Sequence, residues 1–359
     1  MPSVGEVIEV LELIAPPWMA DDGDAIGLQV GDRSPQVRRI RTAVDPTREV
    51  VDAALDQQAD LLVTHHPLIR SPLRSLAAGD PVADRALRLA TGECALYVLH
   101  TNYDTAPGGV NDVLAEKLGL RECVPLTAKR QDRYHKVVVF VPDEAVEQVR
   151  NAMAEAGAGR IGLYSHCSFR VRGTGSFLPG GAAKPHVGAP GRLEEVDEWR
   201  LEMICTGAVL DGVLRAMREN HPYEEVAYDV YELANEPVRL GYGRIGSLAE
   251  PATLSDFAQH VRDMLNVRFL RLFGDPSRQV RTVAVCSGGG ASLYREAAGA
   301  GADVYVTGDW KHHDILNAAD LGLTVIDAGH FETERPGMAA LAERLAAECG
   351  PNVDVKYVE

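Results

Sequence analysis

Apolar residues along this chain form short runs that stop abruptly at polar ones. Leu61-Leu62-Val63 ends at Thr64, the run 95–99 at His100, Val304-Tyr305-Val306 at Thr307 and the run 323–326 at Asp327. Runs this short and this uniformly apolar predict strands covered by helices on both faces. Stretches of helical spacing, 83–91 and about 311–320, precede two of them.

Two segments repeat one order. IRTAVDPTREVVDAALDQQADLLVTHHPL starts at Ile40, and VRTVAVCSGGGASLYREAAGAGADVYVTGDW starts at Val280. Each reads as an Arg-Thr start, a strand, a loop, an Ala-rich helix, and an Ala-Asp plus apolar strand ending in Val-Thr. Aligned at Thr64 and Thr307, His65-His66 stand where the second copy has Gly308-Asp309. A βαβ unit used twice predicts parallel strands and a duplicated α/β core.

Between the copies the pattern changes. RYHKVVVFVPDEAVEQVRNAMAEAGAG predicts a strand and an amphipathic helix. IGLYSHCSFRVRGTGSF alternates like strands, and GGAAKPHVGAPGRLEEV is a Gly/Pro-rich loop or hairpin. WRLEMICTG predicts a strand, GAVLDGVLRAMRENHPY a helix, and EEVAYDVYEL a last strand. The order βαββαβ predicts a ferredoxin-like α+β domain. The chain thus divides into a first core half, 1–133, an insert, 134–236, and a second core half, 237–359. The HPYEEVAYD stretch has no evident purpose beyond ending a helix and starting a strand.

Composition narrows the function. With 359 residues, 46% apolar and 25% charged, this is an ordinary globular make-up. No run of eighteen apolar residues offers a membrane span, and MPSVGEVIEVLEL lacks the basic start of a signal peptide. The net charge of −16 argues against nucleic-acid partners. Six scattered cysteines without a CxxC fit neither a disulfide framework nor a thiolate zinc site, and suit a reducing cytosol.

Ligands of open α/β sheets bind beyond the carboxyl ends of strands. There the sequence places His65 and His66; then His100, Asn102 and Asp104; then Gly308, Asp309, His312 and His313; then His330 and Glu334. Neighbouring imidazoles diverge, so His65 and His66 can serve two different cations. His330 and Glu334 share one face if a helix begins at GHFETERPG. With Asp104 they make a mixed nitrogen and oxygen set suited to Zn, Fe, Mn or Co. Singly each signal has a plain alternative: a surface histidine pair, a helix-surface His-Glu pair, a turn aspartate. Their common position after apolar strands carries the reading. Ser287-Gly288-Gly289-Gly290 reads either as an anion-binding loop or as a tight turn.

GLQVGD (27–32), LLVTHHPL (61–68), HTNYDTAPGGVND (100–112), GDWKHHD (308–314) and DAGHFETERPG (327–337) together resemble one family. It is the GTP cyclohydrolase 1 type 2 homologues, also called Nif-three-like or YbgI-like proteins. The resemblance implies two similar α/β halves around a dinuclear centre of divalent cations, Zn, Fe or Mn. It places the metal ligands on His65, His66, Asp104, His330 and Glu334, with Glu334 bridging. It also implies an insert of the PII/CutA type and a toroidal homohexamer. In one place this chain departs from the family: Gly23-Asp24-Ala25 stands where Trp-Asp-Asn is usual.

A carboxylate-bridged cation pair about 3.5–4 Å apart brings the pKa of a shared water toward neutrality, which favours hydrolysis. The family name points to opening of the GTP imidazole ring with release of formate, and so to a small-molecule, nucleotide substrate. Glu334, His312 and His313 are the catalytic candidates, the two histidines as proton carriers. Metal storage or delivery without turnover, and phosphoester hydrolysis, are the alternatives.

Overall fold

The apolar runs become the central strands of two sheets. The computed structural model of the chain describes residues 1–77, 79–127, 130–161, 164–235 and 237–359. It divides into one unit of Met1–Arg130 with Leu240–Glu359 and a second of Gln131–Arg239.

In the first unit, one sheet runs in the order Gly27–Val30, Ala95–Val98, Leu61–Thr64, Arg39–Ala43, Asp354–Tyr357. The other runs Arg271–Phe273, Thr324–Asp327, Val304–Thr307, Gln279–Val285, Arg244–Thr253, Arg121–Pro125. Each repeat supplies three adjacent parallel strands with an antiparallel strand beyond the last; at the other edge of the trio Asp354–Tyr357 adds a fourth parallel strand to the first sheet, and Arg244–Thr253 runs antiparallel in the second. Leu61–Thr64 and Val304–Thr307 are the middle strands of the two trios, and all their residues are buried. The halves also exchange strands. Asp354–Tyr357 joins the first sheet beside Arg39–Ala43, and Arg121–Pro125 joins the second beside Arg244–Thr253.

Charged side chains fasten these exchanges. Arg41, 2% exposed, reaches Asp354 Oδ2 at 2.8 Å and the Asp354 carbonyl at 3.1 Å. Arg244, 4% exposed, pairs with Asp112 and donates to the carbonyls of Gly241 and Gly243. An arginine fork satisfied on several sides is a tolerable buried charge.

Helices cover the sheets for ordinary sequence reasons. Ser3 and Glu6 form a capping box on Val4–Ile14, whose Val4, Val7, Ile8 and Leu11 recur at helical spacing and are buried. Asp80 caps Pro81–Thr91, where proline stands in the first turn and needs no partner for its missing N–H. Thr253 caps Leu254–Leu265. The predicted helix at 330 starts at His330 and runs to Cys349.

The second unit is one antiparallel sheet in the order Tyr228–Glu232, Tyr134–Pro142, Glu194–Thr206, Ser168–Phe177, with helices Val146–Glu155 and Gly207–Asn220. Its chain order is βαββαβ. The stretch from 161 expected to alternate as strands becomes a strand only at Ser168. Ile161 and Tyr164 form an isolated bridge, and left-handed backbone at Gly159 and His166 turns the chain. The core lies between sheet and helices and includes Val137, Val139, Leu201, Val149 and Met217. Among the described residues, no helix is long and apolar enough to cross a membrane.

Candidate metal centre

The strand ends of both sheets in the first unit bring their polar residues to one place. His65 Nε2 lies 3.5 Å from Glu334 Oε1 and 3.7 Å from Asp104 Oδ1. His66 Nε2 lies 3.4 Å from Glu334 Oε2, and His330 Nε2 lies 3.1 Å from Glu334 Oε1. All five residues expected as metal ligands therefore meet, with Glu334 between three imidazoles. The shared helical face predicted for His330 and Glu334 makes their contact.

His100 joins them. Its ring centroid is 5.3 Å from that of His65 and 5.5 Å from that of His66. Potential donor atoms of His65, His66 and His100 lie within 4.8 Å of one another, as do those of His66, His330 and Glu334. The sequence placed His100 at this rim but not in the ligand set. The missed signal is a repeated spacing: His100 and Asp104 stand four apart after one strand, as His330 and Glu334 do after the equivalent strand.

Each imidazole is aimed by its other nitrogen. His65 Nδ1 is 2.9 Å from the Leu99 carbonyl, which can only accept, so Nδ1 carries the proton and Nε2 faces the cluster. His66 Nδ1 meets Asp45 at 2.8 Å, His330 Nδ1 meets Asp309 at 2.7 Å, and His100 Nδ1 meets Asp24 at 2.8 Å. A carboxylate or carbonyl behind the imidazole is how metal-binding histidines are oriented. Asp24 also accepts from Thr101 N at 3.1 Å and from the Thr101 hydroxyl. The departing segment at 23–25 thus still meets the cleft, through its retained aspartate. Gln29 holds the loop after the histidines by two bonds to the Ile69 backbone.

Glycines make room. A Cβ on Gly288, whose φ is +61°, would collide with Glu334 Oε1 and sit 3.1 Å from His330 Nε2. A Cβ on Gly308 would sit 2.6 Å from His330 N. Gly288 N donates to Thr333, Gly290 N to Thr307 and Ser287 N to Asn111. With those N–H groups committed inside the protein, 287–290 is a tight turn packed on the cluster and not an open anion loop. Ser287 Oγ donates to Asp104 Oδ1 at 3.1 Å.

Electrostatics follow from burial and charge. Burial works hardest against ionising Glu334, yet His65, His330 and His66 outweigh it and hold the carboxyl well below its ordinary range. Burial pulls His66 down, but Asp45 and Glu334 raise it to about 10. His330 rises to about 9, chiefly through Glu334, against the pull of burial. Asp104 is pushed up by burial and by the Glu334 charge.

The residues fit a divalent cation. His65 is fully buried and Glu334 3% exposed, yet His65 Nε2 and Glu334 Oε2 have no hydrogen-bond partner. Buried polar atoms are rarely left so. His66 Nε2 and His330 Nε2 face each other at 3.3 Å with their Nδ1 atoms already engaged. Bound divalent cations would satisfy these lone pairs, and the imidazole and carboxylate donors suit Zn, Fe or Mn.

His312 and His313 stand elsewhere. Both are exposed in the first turn of His312–Asp320, with ring centroids 5.5 Å apart. Among the described residues neither makes a hydrogen bond or ion pair with the cluster. A cleft of about 480 Å³ does adjoin it, lined by His66, His330, Phe331, Thr47, Arg70 and Arg85, among others.

The model of the Duf34/NIF3 (NGG1p interacting factor 3) family matches residues 2–359. A "GTP cyclohydrolase 1 type 2 homolog" of Bacillus subtilis is 41% identical over 344 residues, 96% of this chain and 92% of that protein. A protein of the same name from Mycobacterium tuberculosis is 39% identical over 363 residues, 98% of this chain and 94% of that one. The crystal structure of a Bacillus cereus protein related to NIF3 matches with a TM-score of 0.83 at 41% identity, covering 100% of this chain and 97% of the other.

Proposed function

We propose a function from one premise: the chain belongs to the Duf34/NIF3 family. It holds two divalent cations and hydrolyses a nucleotide, with opening of the GTP imidazole ring and release of formate as the reaction its relatives' name suggests. The observation that carries this is the meeting of His65, His66, Asp104, His330 and Glu334, drawn from both repeats, around unsatisfied buried donor atoms.

The cations would supply an activated water and a Lewis acid. His65 and His330 approach Glu334 Oε1 and His66 approaches Oε2, with Asp104 and His100 beside His65, so Glu334 would be the ligand that the cations share. The cleft beside the cluster supports an anionic, ring-bearing substrate. Arg70 and Arg85 offer guanidinium groups for phosphates, and Phe331 offers an apolar face. They take the phosphate role that the turn at 287–290 cannot. The proton-carrying role expected of His312 and His313 has less behind it, because both are exposed and neither lines the cleft.

The same proposal includes a toroidal homohexamer, an insert of the PII/CutA type and a place in the reducing cytosol. The βαββαβ strand order supports the insert, and the free cysteines support the compartment.

The test is purified protein loaded with Mn or Zn and incubated with GTP. Formate release that disappears in Glu334→Ala supports the reading. Phosphate without formate assigns phosphoester hydrolysis instead. Intact nucleotide together with ready transfer of metal to an apo-enzyme assigns metal delivery. Light scattering reads the assembly, and a monomer would refute the hexamer.

A further inference from the structure

Among the described residues, the second unit places no side chain in the candidate metal cluster, yet it has a cavity of its own, of about 440 Å³. Two stretches that the metal reading leaves unused build its walls. One is the Gly/Pro-rich loop, through Pro185, His186 and Val187, with Pro179 just before it. The other is HPYEEVAYD, through Tyr223, Glu224, Glu225 and Ala227. Phe140 and Phe177 line it from the sheet. The size and the apolar lining suit a small organic molecule.

The walls are fixed. Lys184 N donates to Glu224 Oε1 at 2.7 Å, which ties one stretch to the other. His221 Nε2 meets the Phe140 carbonyl at 2.9 Å, and its Nδ1 accepts from Tyr223 N at 3.1 Å. That pairing defines a neutral imidazole and sets Tyr223 edge-on against it, with ring centroids 4.9 Å apart.

Apart from the His186 imidazole, the ionisable groups at the cavity are acidic or phenolic. Glu198, Glu224 and Glu225 line the cavity, and among the described residues no lysine or arginine does. The Tyr223 hydroxyl is buried beside the Glu198 carboxylate. Burial first, then Glu198, holds its proton on. A Cβ on Gly175, in the neighbouring strand, would collide with Glu198 Oε2, so this glycine leaves the space that the carboxylate occupies. Glycine inside a strand weakens it and marks a place where something else must fit.

We propose that this cavity binds a small organic cation, an amine on an apolar or aromatic body, with Glu198 facing the charge and Tyr223 offering its hydroxyl. Calorimetric titration of the full chain with 2-phenylethylamine, phenylacetate and 2-phenylethanol tests it. The amine saturates one site per chain and binds about tenfold tighter than the acid or the alcohol, the scale of one charge-assisted hydrogen bond. Glu198→Gln weakens it by a similar factor with bound metal unchanged, and Phe177→Ala weakens it independently. His65→Ala leaves it intact, which separates this site from the metal centre. No saturable amine binding, equal binding of phenylacetate, or loss of binding in His65→Ala would each overturn the proposal. The comparison of the three probes on the unsubstituted protein stands even if a variant fails to fold.

Discussion

The two repeats of the core have the same strand arrangement and spend their strand ends differently. After the outer parallel strand each places a histidine and, four residues on, a carboxylate: His100 with Asp104, His330 with Glu334. After the middle strand they diverge. The first repeat puts His65 and His66 there, and both point into the cluster. The second puts Gly308, whose missing side chain admits the His330 backbone, and Asp309, which aims the His330 ring. One copy supplies imidazoles where the other supplies room and orientation. A repeated scaffold fixes where side chains emerge, and point differences at equivalent positions decide which of them touch a cation.

The largest effect should come from the residue both copies share. Glu334 touches His65, His66 and His330, so Glu334→Ala removes the carboxylate that these three imidazoles share. Bound metal should fall at least about tenfold, the scale of a lost ligand contact. Circular dichroism should be unchanged. Metal analysis that finds the original stoichiometry would remove Glu334 from the centre, and with it the link between the repeats.

Gly288→Ala tests the packing of the turn on the cluster. Backbone strain at φ +61° costs about 1–2 kcal/mol. The new methyl must also displace Glu334, so metal affinity measured by chelator competition should fall about tenfold or more. Gly119→Ala is the control. Its φ is +74° with nothing within 4 Å of the added carbon, so stability should drop similarly and metal affinity should hold. Equal metal loss in both variants would trace the effect to strain alone.

These comparisons mark what the sequence reveals by itself. Strand ends were legible because buried strands read as unbroken apolar runs, and His65, His66, Asp104, His330 and Glu334 follow them directly. The orienting aspartates were not. Asp24 lies 76 positions from His100, and Asp45 lies 21 from His66, so only the folded chain joins them. His100 needed the two repeats to be aligned beyond their middle strands. The exchange of Asp354–Tyr357 and Arg121–Pro125 was hidden for another reason. A short edge strand has no pattern that names the sheet it joins.

A subtler contrast lies in the aspartates. The Asp24 side chain is 10% exposed and holds both His100 and Thr101, whereas that of Asp309 is 61% exposed and, among the described residues, holds His330 alone. Loss of such a partner lowers metal affinity about 10–100-fold. Asp24→Asn should approach the upper figure and also lower the melting temperature. Asp309→Asn should stay near the lower figure with stability unchanged, because water can replace an exposed carboxylate. Chelator competition and thermal unfolding on both variants read this, and the reverse ranking would mean that exposure does not set the weight of these contacts.

The smallest expected change separates the core from its insert. Every side chain placed in the cluster lies within Met1–Arg130 or Leu240–Glu359, and those segments form one unit with its own buried core. Replacing 131–239 by a short linker should therefore leave metal stoichiometry as it was. A folded deletion that binds no metal would mean that the insert shapes the centre from outside, through assembly or through the segments that join it. The two repeats would then not suffice to build the site, and the division of labour between them would be only part of the design.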